Sequence, residues 1–238
     1  MKTFVSEVQK YWPKLEESLG HTFQDKTLLV EALTHPTYAN EYKTEKLPDN
    51  ERLEFLGDAV LDLVISEYLM TSLPESQEGQ LTRLRADVVC MPGLARLARS
   101  LNIGSALLLG KGEERNGGSE KPNLLADALE SLIGAVFTDG GFSAAKAVVL
   151  PLFVPLLQEA LNAEDKDFKS RLQEFLQGSQ RIPPVYKLVE TTGPDHERTF
   201  CVNLMVDDRV ISSGQGRTKK SAEQAAAELA LIALSDKK

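Results

Sequence analysis

Before residue 180 almost no segment of this chain alternates as a β-strand does; apolar side chains recur instead at helical spacing. Helices are expected over Val5–Leu19, Lys26–Leu33, Asn50–Thr71, Gly79–Ser100, Asn123–Thr138 and Ser143–Ala160. Clusters such as Leu47-Pro48-Asp49 and Asn116-Gly117-Gly118 divide them. After the short charged stretch 162–167 the texture changes. A helix over Phe168–Gln177 is followed by strand patterns at Val185–Thr191, Thr199–Val206 and Val210–Ser213, then an Ala-rich helix over Lys219–Ser235. In that last helix Ala222, Ala226, Leu229 and Ala233 form a small-residue stripe suited to packing on a sheet. The expected fold is an all-α N-terminal domain over residues 1–162, a linker at 163–167, and a small α+β (α-β-β-β-α) domain over 168–238.

The 238 residues carry a net charge of −8, which taken alone argues against a nucleic-acid partner. Split at the domain boundary, the balance reads differently. Residues 1–166 hold 16 basic and 25 acidic side chains, whereas residues 167–238 hold 11 and 10. The acidity belongs to the helical domain. Cys90 and Cys201 form no C-x-x-C, which fits a cytoplasmic protein with reduced thiols. The start has no signal-peptide pattern, and no apolar run is expected to reach the ~20 residues that span a bilayer, so no membrane partner is expected.

Within Asn50–Asp62, Glu51, Glu54, Asp58 and Asp62 fall within about 80° of one another on one helix face, beside a core stripe of Leu53, Leu56, Val60 and Val64. A solvated acidic face is one reading, although like charges at i, i+4 repel unless a cation sits among them. The segment Asn123–Phe137 is apolar nearly all round, yet carries Asp127 and Glu130 one turn apart on the same face. Unpaired carboxylates in such a buried helix are costly unless neutralised or bound to a cation. Salt bridges to Arg83 or Arg85 are the alternative. If Glu54 and Asp58 face Asp127 and Glu130, four hard oxygen ligands converge, a donor set suited to Mg²⁺, with Mn²⁺ a plausible substitute. Such ions can activate water against a phosphodiester. Glu78 stands at a loop-to-helix junction, and His35 in Thr34-His35-Pro36 reads as a hydrogen-bonded structural residue. Gly104–Lys111 has the wrong glycine spacing for a P-loop, and no G-x-S-x-G elbow exists.

The nine residues Asn50–Asp58, reading NERLEFLGD, match the signature of bacterial ribonuclease III. Ala32-Leu33-Thr34-His35, Glu78–Thr82, Gly110–Glu113 and Leu125–Glu130 follow in the order that family uses. The chain therefore resembles a ribonuclease III along nearly its whole length, with residues 168–235 similar to its double-stranded-RNA-binding domain. The resemblance implies that Glu54, Asp127 and Glu130 ligate catalytic magnesium and that Asp58 and Glu130 are essential to hydrolysis. It places Glu51 and Glu78 in supporting roles in the same valley. It also implies a homodimer in which Phe55 enters the partner subunit. Pro36-Thr37 departs mildly from the family pattern and removes no ligand.

In the small domain, Lys219 and Lys220 sit at a helix N-terminus, where the macrodipole disfavours cations unless an anion such as phosphate is held there. Gly214–Thr218 adds Arg217, the Thr218 hydroxyl and flexible amides. By resemblance, Gln173 and Glu174 on the first helix, with Pro194 and His196 in the loop after the first strand, touch successive minor grooves. The implied function is endonucleolytic hydrolysis of double-stranded RNA to 5′-phosphate and 3′-hydroxyl ends, in processing of ribosomal, messenger and transfer RNA. The alternative is a non-catalytic double-stranded-RNA-binding protein.

Overall fold

The computed structural model describes residues 8–164, 167–178, 183–194 and 198–235. The chain forms two compact units, Met1–Ala160 and Leu161–Lys238. The first contains helices α1 (Trp12–Leu19), α2 (Lys26–Ala32), α3 (Pro36–Glu41), α4 (Glu51–Ser72), α5 (Glu78–Val88), α6 (Met91–Ser100), α7 (Lys111–Arg115) and α8 (Pro122–Glu164), the last running a turn past the unit's edge. The second contains α9 (Phe168–Gly178), β1 (Val185–Thr192), β2 (Thr199–Val206), β3 (Arg209–Gly216) and α10 (Lys219–Ser235).

Three helical expectations change. The single helix expected over Gly79–Ser100 is two, because Cys90 is extended (φ −81°, ψ 152°) and a proline opens α6. Proline is favoured in a first turn and cannot continue a preceding helix. Helix α3 has six residues, too few to show a period, and depends on its cap: His35 Nδ1 accepts from the Thr37 N–H at 3.2 Å. The two last helices of the unit join as α8, broken at Gly141 by a left-handed φ of 73°. By length and composition alone, Pro122–Asn162 could cross a membrane, which corrects the expectation that no segment is apolar enough. Its Leu125, Leu129, Leu132, Ile133 and Val136 are buried in the core of this unit.

Helices α4 and α8 cross with almost no space between their backbones. A Cβ on Gly57 would lie 1.8 Å from the Glu130 carbonyl oxygen, and one on Gly134 would lie 2.1 Å from that of Leu53. Only a hydrogen fits at either place. Around this crossing, short polar contacts tie loops to the helices. The buried Ser131 hydroxyl donates to the Ala32 carbonyl at 2.6 Å. The Asn50 amide donates to Thr34 O at 2.9 Å, and Leu33–His35 exchanges backbone bonds with Leu108. Near the Gly141 break, Asp139 accepts from the amides of Gln24 and Asp25, both at 3.0 Å, and pairs with His21 Nε2 at 2.9 Å. Burial would raise the Asp139 carboxyl, but these bonds hold it below the ordinary carboxylate range.

In the second unit the strands form one antiparallel sheet in the order β1-β2-β3, with an irregularity between Leu188 and Glu190. Asp207 and Asp208 take left-handed φ values of 51° and 59°, the geometry of a tight hairpin turn. A Cβ on Gly214 would lie 2.2 Å from the Ala226 nitrogen, so β3 lies directly against α10. The buried stripe of α10 is Ala222, Ala226, Ala227 and Ala230, whereas Leu229 is 50% exposed. The expected stripe through Leu229 and Ala233 is thus rotated. Ala226, Ala227 and Ala230 share a core with Leu172 and Leu176 of α9 and Leu204 and Val206 of β2, so the buried face answers to two neighbours.

Candidate active site and nucleic-acid interface

The glycine crossing decides which acids meet. Glu54 and Asp58 flank Gly57 on α4, and Glu130, whose carbonyl abuts Gly57, lies one turn after Asp127 on α8. As a result Glu54, Asp127 and Glu130 each present a carboxylate oxygen within 4.8 Å of the others. Oxygens sharing one Mg²⁺ at about 2.0–2.1 Å stand roughly 3–4 Å apart, so a small contraction would close the trio on a cation.

The electrostatics show strain of one sign. Burial, then the charges of Asp58, Glu54, Asp127 and Asp62, push the Glu130 carboxyl up to about 7. Glu54 is raised by burial and by Asp127, Glu51 and Asp58. Asp127 is raised by burial, against which the charge of His35 acts in part. Arg85, considered above as a counter-charge, reaches Ser66 Oγ at 2.8 Å and Asp62 at 3.7 Å instead. Among the described residues no cation figures in the shift of Glu130. An all-oxygen, mutually repelling donor set fits a hard divalent cation, which relieves the repulsion as it binds.

The other expected site residues fall as follows. Asp58 and Glu51 are exposed on α4 and act on the trio as charges. Glu78 lies in the first turn of α5, where its carboxylate accepts from Thr82 Oγ1 at 2.9 Å; it contributes no resolved shift to the trio. Phe55, on the same helix, is 81% exposed. His35 proves to be more than a cap. Burial lowers its pKa, against the opposing charges of Glu113, Asp127, Glu51 and Asp49, and its Nδ1 accepts from the Thr37 amide. Its electrostatic link to Asp127 has no signal in the spacing of the sequence.

In the second unit Gln173 and Glu174 are exposed on α9, and Pro194 is exposed after β1. His196 lies outside the described residues. Arg217, Thr218, Lys219 and Lys220 are all exposed where β3 passes into α10. Thr218 and Ser221 cap α10 reciprocally: the Ser221 amide donates to Thr218 Oγ1 at 3.1 Å, and the Thr218 amide donates to Ser221 Oγ at 3.0 Å. The Thr218 hydroxyl is therefore engaged in the cap, while the lysines project from the first turn.

The chain is similar to known proteins over both units. Residues 25–157 match the Ribonuclease-III-like family, and residues 168–234 match the double-stranded RNA binding motif. Ribonuclease 3 of Caldanaerobacter subterraneus subsp. tengcongensis is 49% identical over 221 residues, 92% of this chain and 96% of the relative. Ribonuclease 3 of Halalkalibacterium halodurans is 44% identical over 236 residues, 99% and 90% respectively. Among solved structures, the nuclease domain of ribonuclease III from Campylobacter jejuni is similar with a TM-score of 0.55 and 50% identity, covering 58% of this chain and 93% of that one. A nuclease fold matched through its carboxylate helices, followed by a matched RNA-binding motif, means that this chain belongs to the ribonuclease III family.

Proposed function

We propose that this chain is a divalent-metal-dependent endoribonuclease that hydrolyses double-stranded RNA, leaving 5′-phosphate and 3′-hydroxyl ends. The observation that carries the reading is the convergence of Glu54, Asp127 and Glu130 at one glycine crossing, where their charges repel one another. These three would hold Mg²⁺, or Mn²⁺ in its place. When bound, the ion offsets their repulsion and stabilises charge building on the phosphodiester. Asp58, exposed beside them, helps orient or deprotonate the attacking water. Glu51 and Glu78 support the same valley from its rim. Gln173, Glu174, Pro194 and His196 contact minor grooves, while Arg217, Thr218, Lys219 and Lys220 hold phosphates across the major groove.

The nuclease domain spans residues 1–162, with a linker at 163–167 and the RNA-binding domain at 168–238. Two copies assemble through α4, whose Phe55, Leu63 and Met70 are exposed by 81%, 56% and 64%. A solved relative is described by a region involved in dimer formation of its nuclease domain, which supports a dimer here. Each protomer cuts one strand. The substrates are structured precursors of ribosomal, messenger and transfer RNA. Cys90 and Cys201 are free thiols, in keeping with a cytoplasmic enzyme.

The test is cleavage of an end-labelled RNA duplex with Mg²⁺, with EDTA, and with Glu130→Gln. The expected result is cutting by the parent in Mg²⁺ alone. A parent that binds but never cuts leaves the binding-protein alternative standing. A Gln variant that cuts at the parental rate removes Glu130 from the site.

A further inference from the structure

The second unit ties its two expected RNA-contact elements together with a polar clasp. Gln224, half-buried on α10, reaches to the start of α9. Its Nε2 donates to Asp167 Oδ1 at 2.9 Å, and its Oε1 accepts from the Lys169 amide at 3.0 Å. Both ends of one side-chain amide are thus spent on the first turn of α9. Asp167 also accepts from Ser170 Oγ at 2.7 Å. Beside them Lys169 Nζ pairs with Glu223 Oε2 at 2.5 Å and lies 4.5 Å from the centre of the Tyr186 ring. Gln224 is the main reason the Asp167 carboxyl sits below the ordinary range.

The clasp stands at the edge of the hydrophobic core, where Phe168 and Tyr186 pack against it only partly buried. Leu172 and Leu176 dock α9 on Ala226, Ala227 and Ala230, further along both helices. Toward the helix starts, a cavity of about 1160 Å³ is lined by the clasp residues Asp167, Lys169 and Gln224 and also by Gln173, Lys219 and Lys220. The same cavity is thus lined by Gln173, expected at a minor groove, and by Lys219 and Lys220, expected at phosphates, together with the residues of the polar bonds.

We propose that Gln224 is a positioning residue for duplex recognition: by bridging Asp167 and Lys169 it fixes the spacing between the α9 contact face and the α10 lysines, and this spacing selects an A-form over a B-form duplex. The inference rests on the reading of this unit as an RNA-binding domain. Its physical basis is that minor-groove and phosphate contacts lie at separations set by the helical form. A rigid spacing matches one form, whereas a loose one gives up that match and discriminates less between the two.

The test uses the full chain with Gln224→Glu, which sets a carboxylate against Asp167, and the exchanged pair Asp167→Asn with Gln224→Glu, which rebuilds the bond in reverse. Binding to an RNA duplex and to a DNA duplex of the same sequence is measured by fluorescence anisotropy in EDTA, and KM and kcat in Mg²⁺. Gln224→Glu is expected to weaken RNA binding about tenfold, narrow the RNA-to-DNA preference, and raise KM with kcat unchanged. The exchanged pair is expected to restore all three. Parental affinity and preference in Gln224→Glu overturn the clasp, as does equal loss on both duplexes or an exchanged pair no better than the single variant. A parent that ignores RNA duplex overturns the domain reading itself.

Discussion

Gly57 and Gly134 face each other where α4 crosses α8: a Cβ on the first would lie 2.9 Å from the amide nitrogen of the second, and the reverse distance is 3.0 Å. Neither position has a flexible neighbour that could yield, since the nearest atoms are backbone. Gly57→Ala is expected to cost about 1–3 kcal/mol in urea unfolding, the range for overfilled interiors. It should also reduce cleavage beyond that loss, because the atom it displaces is the carbonyl of Glu130. A Gly57→Ala chain with parental stability and rate would mean that the crossing does not set the site.

The metal-free protein should become less stable as pH rises from about 4.5 to about 7. Glu130 has a folded pKa of about 7 against 4.5 for an ordinary glutamate. An acid whose pKa rises on folding keeps its proton in the native state while the unfolded chain has released it, so stability falls across that window. Thermal melts in EDTA between pH 5 and pH 8 check this. Glu130→Gln should melt higher than the parent in EDTA at pH 8 and lose much of the added stability conferred by Mg²⁺.

Phe55→Glu should shift the protein toward monomer in sedimentation velocity while leaving the melting temperature of the monomer nearly unchanged. The side chain is 81% exposed, so its removal opens no cavity in the protomer. A dimer unaltered by the substitution would place the interface elsewhere.

Lys219→Ala and Lys220→Ala should each weaken duplex binding across sequences and lower the salt slope of log K by about one unit, as expected when one phosphate contact is removed. Anisotropy titrations at several KCl concentrations measure it. Sequence-selective loss would instead indicate a base contact.

The helical first half, the α-β-β-β-α second half and the acids themselves were legible in the chain because each rests on local periodicity. The strand pattern Thr199–Val206 and the last helix Lys219–Ser235 coincide with the observed elements. Breaks read less well. Cys90-Met91-Pro92 ends one helix and begins another, a stop that apolar spacing alone passes over. The buried face of α10 was misplaced for a different reason: a stripe of small residues tells which side can pack, but the positions of β3 and α9 decide which side does.

The same division holds at the site. Sequence alone determined which residues could be ligands, since carboxylates at helical spacing on an apolar segment are costly without a cation. Tertiary structure decided that Glu54 meets Asp127 and Glu130, because two glycines over seventy residues apart let the backbones touch. It also decided that His35 comes within electrostatic reach of Asp127 and that Gln224 bridges α9 and α10. These are contacts between segments distant in sequence, and no local pattern encodes a distance through space.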